Sequence, residues 1–327
     1  MKPPFLSSGL LILSCLRPSH AAAQGLPPYE PINAVADSRT PLAFEPYRPP
    51  ARDRWSVGFS LDYASAIEDF TGSRANYVLD AELLRLRVRV ARDLSPAVFL
   101  TADASALGSY AGFLDPFLDW YHRLLGITME ERQLRPTDAF LYRLELPDGD
   151  VHTRRSSAFF LGDVRLGTGL RWGPHLQTIA TLTLPTSTGP TGYGRGVVST
   201  GLVTTLHAPL AEPLTYEGSV GLGYTPAHGD LTDYQRTGFV SASSGMRWRF
   251  WGRQSLYANL FYHSPYYYDT TIPALDQREL SLDFGWILAT RHGPEWRVGL
   301  TEDLEPDGPG VDLVFRLGVT RWGSGGP

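Results

Sequence analysis

The residues best suited to chemistry in this sequence are arginines and carboxylates that recur at every second position of short segments. Arg85, Arg87 and Arg89 follow this spacing, and so do Arg247 and Arg249. Side chains two positions apart in a strand point to the same face of a sheet. Such groups could together bind, attract or repel charged solutes. The acidic candidates are Asp62, Asp80, Glu82, Asp103, Asp163, Glu279, Asp283 and Asp312, and the basic candidates are Arg85, Arg87, Arg89, Arg165, Arg171, Arg247, Arg249, Arg297 and Arg316.

No spacing in the sequence predicts a catalytic residue, a metal site or a cofactor. A His-x-Ser spacing in a membrane-barrel phospholipase places both side chains on one face, whereas His263 and Ser264 are adjacent and point to opposite faces. The other histidines have no triad pattern around them. The only cysteine is Cys15, so no Cys/His metal spacing exists. A phospholipase-type barrel remains the least favoured alternative.

The elements that must position these charges are strands with one apolar face. In Trp55–Ala64 the odd positions are Trp, Val, Phe, Leu and Tyr, and the even positions are small or polar. About twelve such segments are present, near 55–64, 77–90, 97–107, 157–171, 177–185, 197–208, 215–225, 238–250, 255–264, 278–290, 296–303 and 311–321. An even number of strands, alternating segments, and short turns at one end with long loops at the other are typical of outer-membrane barrels.

The sequence therefore predicts an all-β fold, a single transmembrane antiparallel up-and-down barrel of about 12 strands. A secreted β-sandwich or propeller is the competing interpretation, but its outer face would be rich in charge, and no blade-length repeat is visible. In segment 77–90 the apolar phase slips at Leu83-Leu84. We expect a one-residue bulge there, which would bring Asp80, Glu82 and Arg85 onto one face.

Four segments of the chain are distinguished by composition. Residues 1–23 have a lysine, an apolar run and a small-residue cleavage site, which predicts a signal peptide and export. Residues 24–54 are rich in proline and predict a periplasmic tail, with threading of the barrel mouth as the alternative. The barrel is expected over 55–322, followed by a short tail at 323–327. A formal charge of -5 argues against nucleic acid as a partner.

The long third loop, residues 108–156, contains the one segment with helical periodicity. A helix is expected over about 116–125, capped by Asp115 and begun by Pro116. Its apolar stripe includes Phe117, Trp120, Tyr121 and Leu124. The helix could act as a lid over the barrel mouth, or it could rest on the rim at the level of the lipid headgroups.

Three segments resemble the proteobacterial DUF3187 family. The run Tyr110-Ala-Gly-Phe-Leu-Asp-Pro-Phe-Leu-Asp-Trp-Tyr-His-Arg-Leu-Leu-Gly126 is similar to a loop of that family, although Tyr121 stands before His122 where a Trp is usual. Phe160–Gly167 resembles the strand that follows, and 301–317 resembles the last hairpin. The resemblance implies a Gram-negative outer-membrane barrel and transfers no activity, because the family is uncharacterised.

The most favoured function is a narrow channel or transporter for small solutes, with loop 108–156 restricting its mouth. The strand directions place most arginines toward the periplasmic half and most carboxylates toward the outer half, so the lumen could be polarised. Alternatively, arginine–carboxylate pairs could simply neutralise a narrow interior. A structural or adhesive barrel without a pore is the second interpretation. Expected partners are outer-membrane lipid and lipopolysaccharide, the export and barrel-assembly machinery, and small solutes.

Overall fold

A computed structural model describes residues 25–73, 75–126, 135–146, 151–154, 158–190, 192–229, 231–291, 293–305 and 307–323. The predicted signal peptide at 1–23 and residues 324–327 of the predicted tail lie outside the described residues.

The protein is a closed antiparallel barrel of 12 wall strands, as the alternation predicts. The wall strands are β1 (Trp55–Thr71), β2 (Asn76–Asp93), β3 (Val98–Tyr110), β7 (Val164–Arg171), β8 (Leu176–Leu184), β9 (Ser199–Ala211), β10 (Leu214–Tyr224), β11 (Gly238–Trp251), β12 (Gln254–His263), β13 (Glu279–Ala289), β14 (Glu295–Asp303) and β15 (Leu313–Gly323). Pairing of β1 with β15 closes the wall, so its strand edges are satisfied by hydrogen bonds.

Three shorter strands extend the wall at one end. Strands β4 (Leu141–Glu145) and β5 (Val151–Arg154) form a hairpin, in which β4 pairs with residues 76–80 at the start of β2. Strand β6 (Ala158–Leu161) precedes β7 and is separated from it by a break at residues 162–163; both strands pair with β3. The extended end carries the long connections and is called the long-loop end below; the opposite end, where β1 begins, is called the short-turn end.

The bulge expected at Leu83-Leu84 is absent. Strands β1 and β2 pair without a shift from Trp55 opposite Arg92 to Thr71 opposite Asn76. Side chains therefore keep one alternation along all of β2, because any slip would invert their faces. The apolar residues before the slip point into the lumen, whereas those after it point outward. The odd positions of β2 thus point inward throughout, and they are apolar near the long-loop end and include the arginines nearer the short-turn end.

Three α-helices and one 3-10 helix complete the described elements: α1 (Ala34–Arg39), α2 (Asp115–Leu125), α3 (Pro273–Asp276) and the 3-10 helix Thr232–Tyr234. Helix α2 ends at Gly126, whose φ of 72° is readily adopted by glycine. Its N-cap is Leu114 rather than the expected Asp115, and the Asp115 carboxylate accepts a hydrogen bond from the Asp138 amide instead. Among the described residues, no helix is both long and apolar enough to cross a bilayer.

Candidate functional site in the barrel lumen

The lumen of the barrel is occupied by residues 25–49, called the lumenal segment below. Nearly all of its residues are buried. It begins near the short-turn end, where the Gly25 carbonyl accepts from Arg247, and rises to α1 at the long-loop end. It then descends, and the Tyr47 hydroxyl reaches the carbonyl of Gly173 in the β7–β8 turn. The two passes meet in an antiparallel bridge between Tyr29 and Phe44. The position of the segment agrees with the alternative of threading the barrel and not with a periplasmic tail.

Small inward residues on the wall make room for this segment. Gly201 on β9 and Gly223 on β10 lie opposite one another and face inward. A Cβ atom on Gly201 would lie 2.9 Å from the carbonyl oxygen of Pro41, and one on Gly223 would lie 3.0 Å from Cγ of Leu42. Side chains of ordinary size at these positions would collide with the segment. The wall therefore leaves a space that the segment, rather than the wall itself, fills.

The central feature of the site is a cluster of wall arginines around Glu30, called the Glu30 cradle below. Arg165 on β7 binds the Glu30 carboxylate with two hydrogen bonds of 2.7 and 3.1 Å, and Arg87 on β2 binds the same carboxylate. Arg85 and Arg316 donate to the Glu30 backbone carbonyl at 2.9 and 3.2 Å. A bidentate arginine–carboxylate pair fixes geometry as well as charge, so Glu30 is held by arginines of three wall strands, β2, β7 and β15.

The same arginines are only partly neutralised by the wall. Asp62 on β1 pairs with Arg85 at 2.8 Å and with Arg316 at 3.3 Å. Asp283 on β13 lies 3.5 Å from Arg316. Close to the cradle, Arg89 pairs with Glu45 of the descending pass of the lumenal segment. Wall and segment thus each provide carboxylates, which a buried cluster of guanidinium groups requires.

A second ion cluster closes the short-turn end. The Asp93 side chain, at the end of β2, is fully buried and accepts from three arginines. Arg48 of the lumenal segment binds both of its oxygens at 2.9 Å, Arg54 binds at 3.1 Å, and Arg171 on β7 completes the set. Arg48 and Arg54 also lie over the Trp322 ring at 4.9 and 4.8 Å. This Asp93 clasp fixes the point at which the segment leaves the lumen.

The long-loop end is closed by an apolar cluster. Buried residues of the lumenal segment, among them Val35 and Leu42, pack there with aromatic and aliphatic side chains of the loops. Loop 108–156 contributes Tyr142 and Leu144 of β4, and the β12–β13 connection contributes Tyr266. Loop 108–156 therefore contributes its β-hairpin, and not its helix, to the apolar cluster at this end.

An open cavity remains at the short-turn end. It has a volume of about 480 Å³ and is lined by Tyr47, Arg89, Arg297 and other residues of the segment and wall. A smaller cavity of about 60 Å³ shares Arg89 and Arg297 and also touches Arg87. The two cavities share part of their lining, and the smaller one reaches Arg87 of the Glu30 cradle.

Helix α2 lies on the outside of the barrel, against β1 and β15. Leu118 is fully buried and packs with Leu313, while the Tyr121 hydroxyl donates to Glu302 at 2.8 Å. That hydrogen bond raises the pKa of Tyr121 to about 12, so the hydroxyl remains a donor at physiological pH. Phe117 contacts Phe315 on the same face. The structure thus places the helix on the outer wall, which agrees with the rim alternative and not with a lid.

Asp80 and Glu82 are the two predicted lumen residues that the structure places on the outer face. Because the bulge is absent, both point outward. Glu82 accepts from the Tyr63 hydroxyl and from the Leu114 amide, and Asp80 pairs with Arg135 at 3.1 Å. The structure therefore corrects their assignment: they hold the third loop against the wall.

The remaining predicted residues fall into three places. Facing the lumen are Asp62, Asp103, Asp163, Glu279, Asp283, Arg85, Arg87, Arg89, Arg165, Arg171, Arg247, Arg297 and Arg316. Arg249 lies at the short-turn rim, where it pairs with Glu212 at 2.6 Å. Asp312 is half-buried and immediately precedes β15. The outcome resembles the alternative of a neutralised interior, since many of these arginines contact a carboxylate directly.

Several charged residues of the lumen were not predicted from the sequence, because they lie outside the predicted strands. Glu30, Glu45 and Arg48 belong to the segment interpreted as a tail, and Asp93 ends β2 on its inward face. Two signals could have indicated them. Asp93 continues the odd-numbered series of β2, and residues 25–49 contain several aromatic and charged residues, which a tail free in solvent does not require.

The geometry gives no support to metal binding or to a His–Ser site. Within the part of the chain that the structure describes, no group of three or more His, Cys, Asp or Glu residues could hold a metal ion. His263 points inward, where its Nε2 lies 2.7 Å from Thr40 Oγ1, whereas the Ser264 hydroxyl accepts from the Val240 amide. The two side chains thus have separate partners.

Comparison with known proteins agrees with this architecture. The model of a family described as a protein of unknown function, DUF3187, matches residues 63–321. The COG4313 outer membrane channel from Pseudomonas putida F1 has a similar structure, with a TM-score of 0.55 and 13% identity over 86% of this chain and 100% of that chain. The CymD monoaromatic hydrocarbon channel has a TM-score of 0.41 and 11% identity over 84% of this chain and 89% of that chain. The NanC porin has a TM-score of 0.44 and 8% identity over 82% of this chain and 98% of that chain. None of the curated proteins compared with the chain matches it.

Proposed function

The chain belongs to the DUF3187 family, and we propose that it is a gated outer-membrane channel for small solutes whose gate is the lumenal segment. The short-turn end would face the periplasm, as it does in outer-membrane barrels. In this arrangement the segment enters and leaves the lumen from the periplasmic side. The channel opens when the segment moves out of the lumen or along it.

One observation supports this proposal above all: the lumen is filled by a chain segment, residues 25–49, that is not part of any wall strand. A barrel with only a structural role can fill its interior with its own wall side chains. Here, inward positions such as Gly201 and Gly223 leave space that Pro41 and Leu42 occupy. Displacing one chain segment would therefore open the middle of the lumen and loosen the apolar cluster at the long-loop end, without any rearrangement of the strand pairing.

The contacts that hold the segment support a reversible gate. In the lower and middle lumen they are ion pairs and hydrogen bonds, such as those of Glu30 and Arg48. Water and solute ions can replace such contacts, whereas a fully apolar interface would have no comparable substitute. The cavity of about 480 Å³ at the short-turn end brings solvent close to these groups.

A disulfide that locks the segment to the wall tests the gate. Mature protein has no other thiol if cleavage follows residue 23, because the only cysteine is Cys15. Sγ of a cysteine at position 42 would take the place of the Leu42 Cγ atom, which lies 3.0 Å from where a Cβ on Gly223 would be. A disulfide with its Cβ atoms roughly 3.5–4.5 Å apart places Sγ of one residue about 3 Å from Cβ of the other, and the Pro41 ring, 2.6 Å from that Cβ, must shift to admit it. We expect Leu42→Cys/Gly223→Cys to be silent in planar bilayers when oxidised, and to show wild-type openings after reduction.

The matched control is a disulfide within the wall. Ser219 and Ser243 are register partners on β10 and β11, with hydroxyl oxygens 2.7 Å apart. Ser219→Cys/Ser243→Cys should conduct equally under both conditions. Equal conductance of the locked and reduced Leu42/Gly223 variant would refute the segment as the gate. Silence of the wild type and of every variant would refute the channel.

A second candidate role, attachment to lipid or lipopolysaccharide at the cell surface, is supported by the outer face of α2. Trp120 and Leu124 are 53% and 67% exposed, although helix α2 is docked firmly on its other side. Exposed apolar side chains at the level of the headgroups would insert among acyl chains. This role is compatible with the channel, and silent recordings together with strong lipid binding would favour it alone.

A further inference from the structure

The charges of the middle lumen do not balance within the wall. Six wall arginines cluster there: Arg85, Arg87, Arg89, Arg165, Arg297 and Arg316. Three wall carboxylates face them: Asp62, Asp103 and Asp283. The wall thus has an excess of three positive charges in this region. The three carboxylates that meet the excess, Glu30, Asp37 and Glu45, all come from the lumenal segment.

The missing negative charge has a defined position. Asp62 is already engaged by Arg85 and Arg316, and Arg89 pairs with Glu45 of the lumenal segment, which leaves Arg87 and Arg165 beside Glu30. Both converge on the single carboxylate of Glu30. Two guanidinium groups on one carboxylate form a site selective for a planar, two-oxygen anion.

The cradle also has donors beyond those that Glu30 uses. Among the described residues, Nε of Arg87 and Nε of Arg165 are buried and make no hydrogen bond. The smaller cavity of about 60 Å³ touches Arg87 and is continuous in its lining with the cavity at the short-turn end. A small anion that approaches from the short-turn end would therefore meet Arg87 of the cradle.

We propose that the Glu30 cradle is the binding site for a carboxylate-bearing solute, and that the Glu30 side chain is a tethered stand-in that this solute displaces. The inference rests on the proposed channel. A free carboxylate that binds Arg87 and Arg165 leaves the Glu30 carboxylate buried without an ion-pair partner. An unpaired buried charge is unfavourable, so binding favours departure of the segment. Binding of the solute and opening of the channel are thereby linked, since both require the same arginines.

Recordings of the full-length protein in planar bilayers test the displacement. Succinate, its neutral diamide succinamide, and sulfate are compared at equal ionic strength. Loss of a charge-assisted contact changes an equilibrium by about tenfold or more, so we expect succinate to raise the opening frequency by about tenfold and succinamide to have no effect. Glu30→Gln should open as often without succinate as the wild type does with it. Arg165→Gln should lose the response to succinate.

The matched control is Glu305→Gln, which removes a carboxylate paired with an exposed arginine, Arg278, outside the lumen. It should behave as the wild type. Equal responses to succinate and sulfate would overturn the carboxylate assignment, because the site would then read charge alone. Openings that ignore succinate would overturn the inference and leave the channel intact. Silence of every variant would refute the channel itself.

A binding measurement that needs no conductance accompanies these recordings. Glu30→Ala removes the two carbon atoms and the carboxylate oxygens that correspond to acetate. We expect acetate, but not acetamide, to restore protection of the Tyr29 and Phe44 amides from hydrogen exchange in this variant. The double variant Glu30→Ala/Arg165→Gln should not respond. Equal effects of acetate and acetamide would show that the cradle does not recognise a carboxylate.

Discussion

Replacing Asp93 by Asn should loosen the lumenal segment without unfolding the barrel. The substitution keeps the size of the side chain but removes the charge shared by Arg48, Arg54 and Arg171. Of these three, only Arg48 belongs to the segment. Its two hydrogen bonds to Asp93 are charge-assisted, and weakening such contacts costs about 1.5–3 kcal/mol. At about 1.4 kcal/mol per factor of ten, undocking of the segment should become roughly 10- to 150-fold more favourable.

Hydrogen exchange followed by mass spectrometry measures this change in detergent-solubilised protein. The reporters are the amides of Tyr29 and Phe44, which donate to each other's carbonyls at 3.2 and 2.7 Å inside the lumen. They should exchange faster by the factor above, while amides of β10 and β11 keep their protection. Glu212→Gln, at the exposed pair with Arg249, should change exchange by less than about 1 kcal/mol. Unchanged exchange at Tyr29 and Phe44, or equal acceleration throughout the wall, would refute the Asp93 clasp.

Three further substitutions test the contacts of the lumenal segment and of helix α2. Leu42→Ala removes a fully buried side chain and should destabilise docking of the segment by about 2–5 kcal/mol, measured by the same exchange experiment; no acceleration would contradict its place in the apolar cluster. Tyr121→Phe removes the hydrogen bond to Glu302 and should weaken docking of α2 by about 0.5–1.5 kcal/mol, seen as greater mobility of a spin label at Asp119; an unchanged spectrum would argue against that contact. Trp120→Phe should reduce the total quenching of tryptophan fluorescence by brominated lipids, and unaltered quenching would place the helix away from the bilayer.

The barrel itself could be predicted because its signal is local and repeated. Alternation along a strand needs only the residue and its neighbours two positions away, so segments such as β11 and β13 are predicted to within a few residues. Strand β1 extends beyond its predicted end, to Thr71. Helix α2 was identified for the same reason, from its apolar spacing and from Gly126 at its end. Only its first residue differed.

The predictions are wrong where the orientation of a side chain depends on a partner that is distant in the chain. The phase change at Leu83-Leu84 was interpreted as a bulge because the inner face was expected to be polar throughout. In the structure the inner face becomes apolar near the long-loop end, where Leu83 meets residues such as Val35 of the lumenal segment. Asp80 and Glu82 point outward in consequence, and the third loop supplies their partners.

Apart from the first half of β2, the sequence by itself determined the wall: which residues face outward, how many strands close the cylinder, and where its short turns lie. Those properties follow from alternation with period two, which is set residue by residue. Only the tertiary structure decided what fills the cylinder. Residues 25–49 carry no periodic signal, because their conformation is imposed by scattered wall contacts such as Arg165 with Glu30 and Asp93 with Arg48. Contacts between residues so far apart in the chain leave no local pattern from which they could be read.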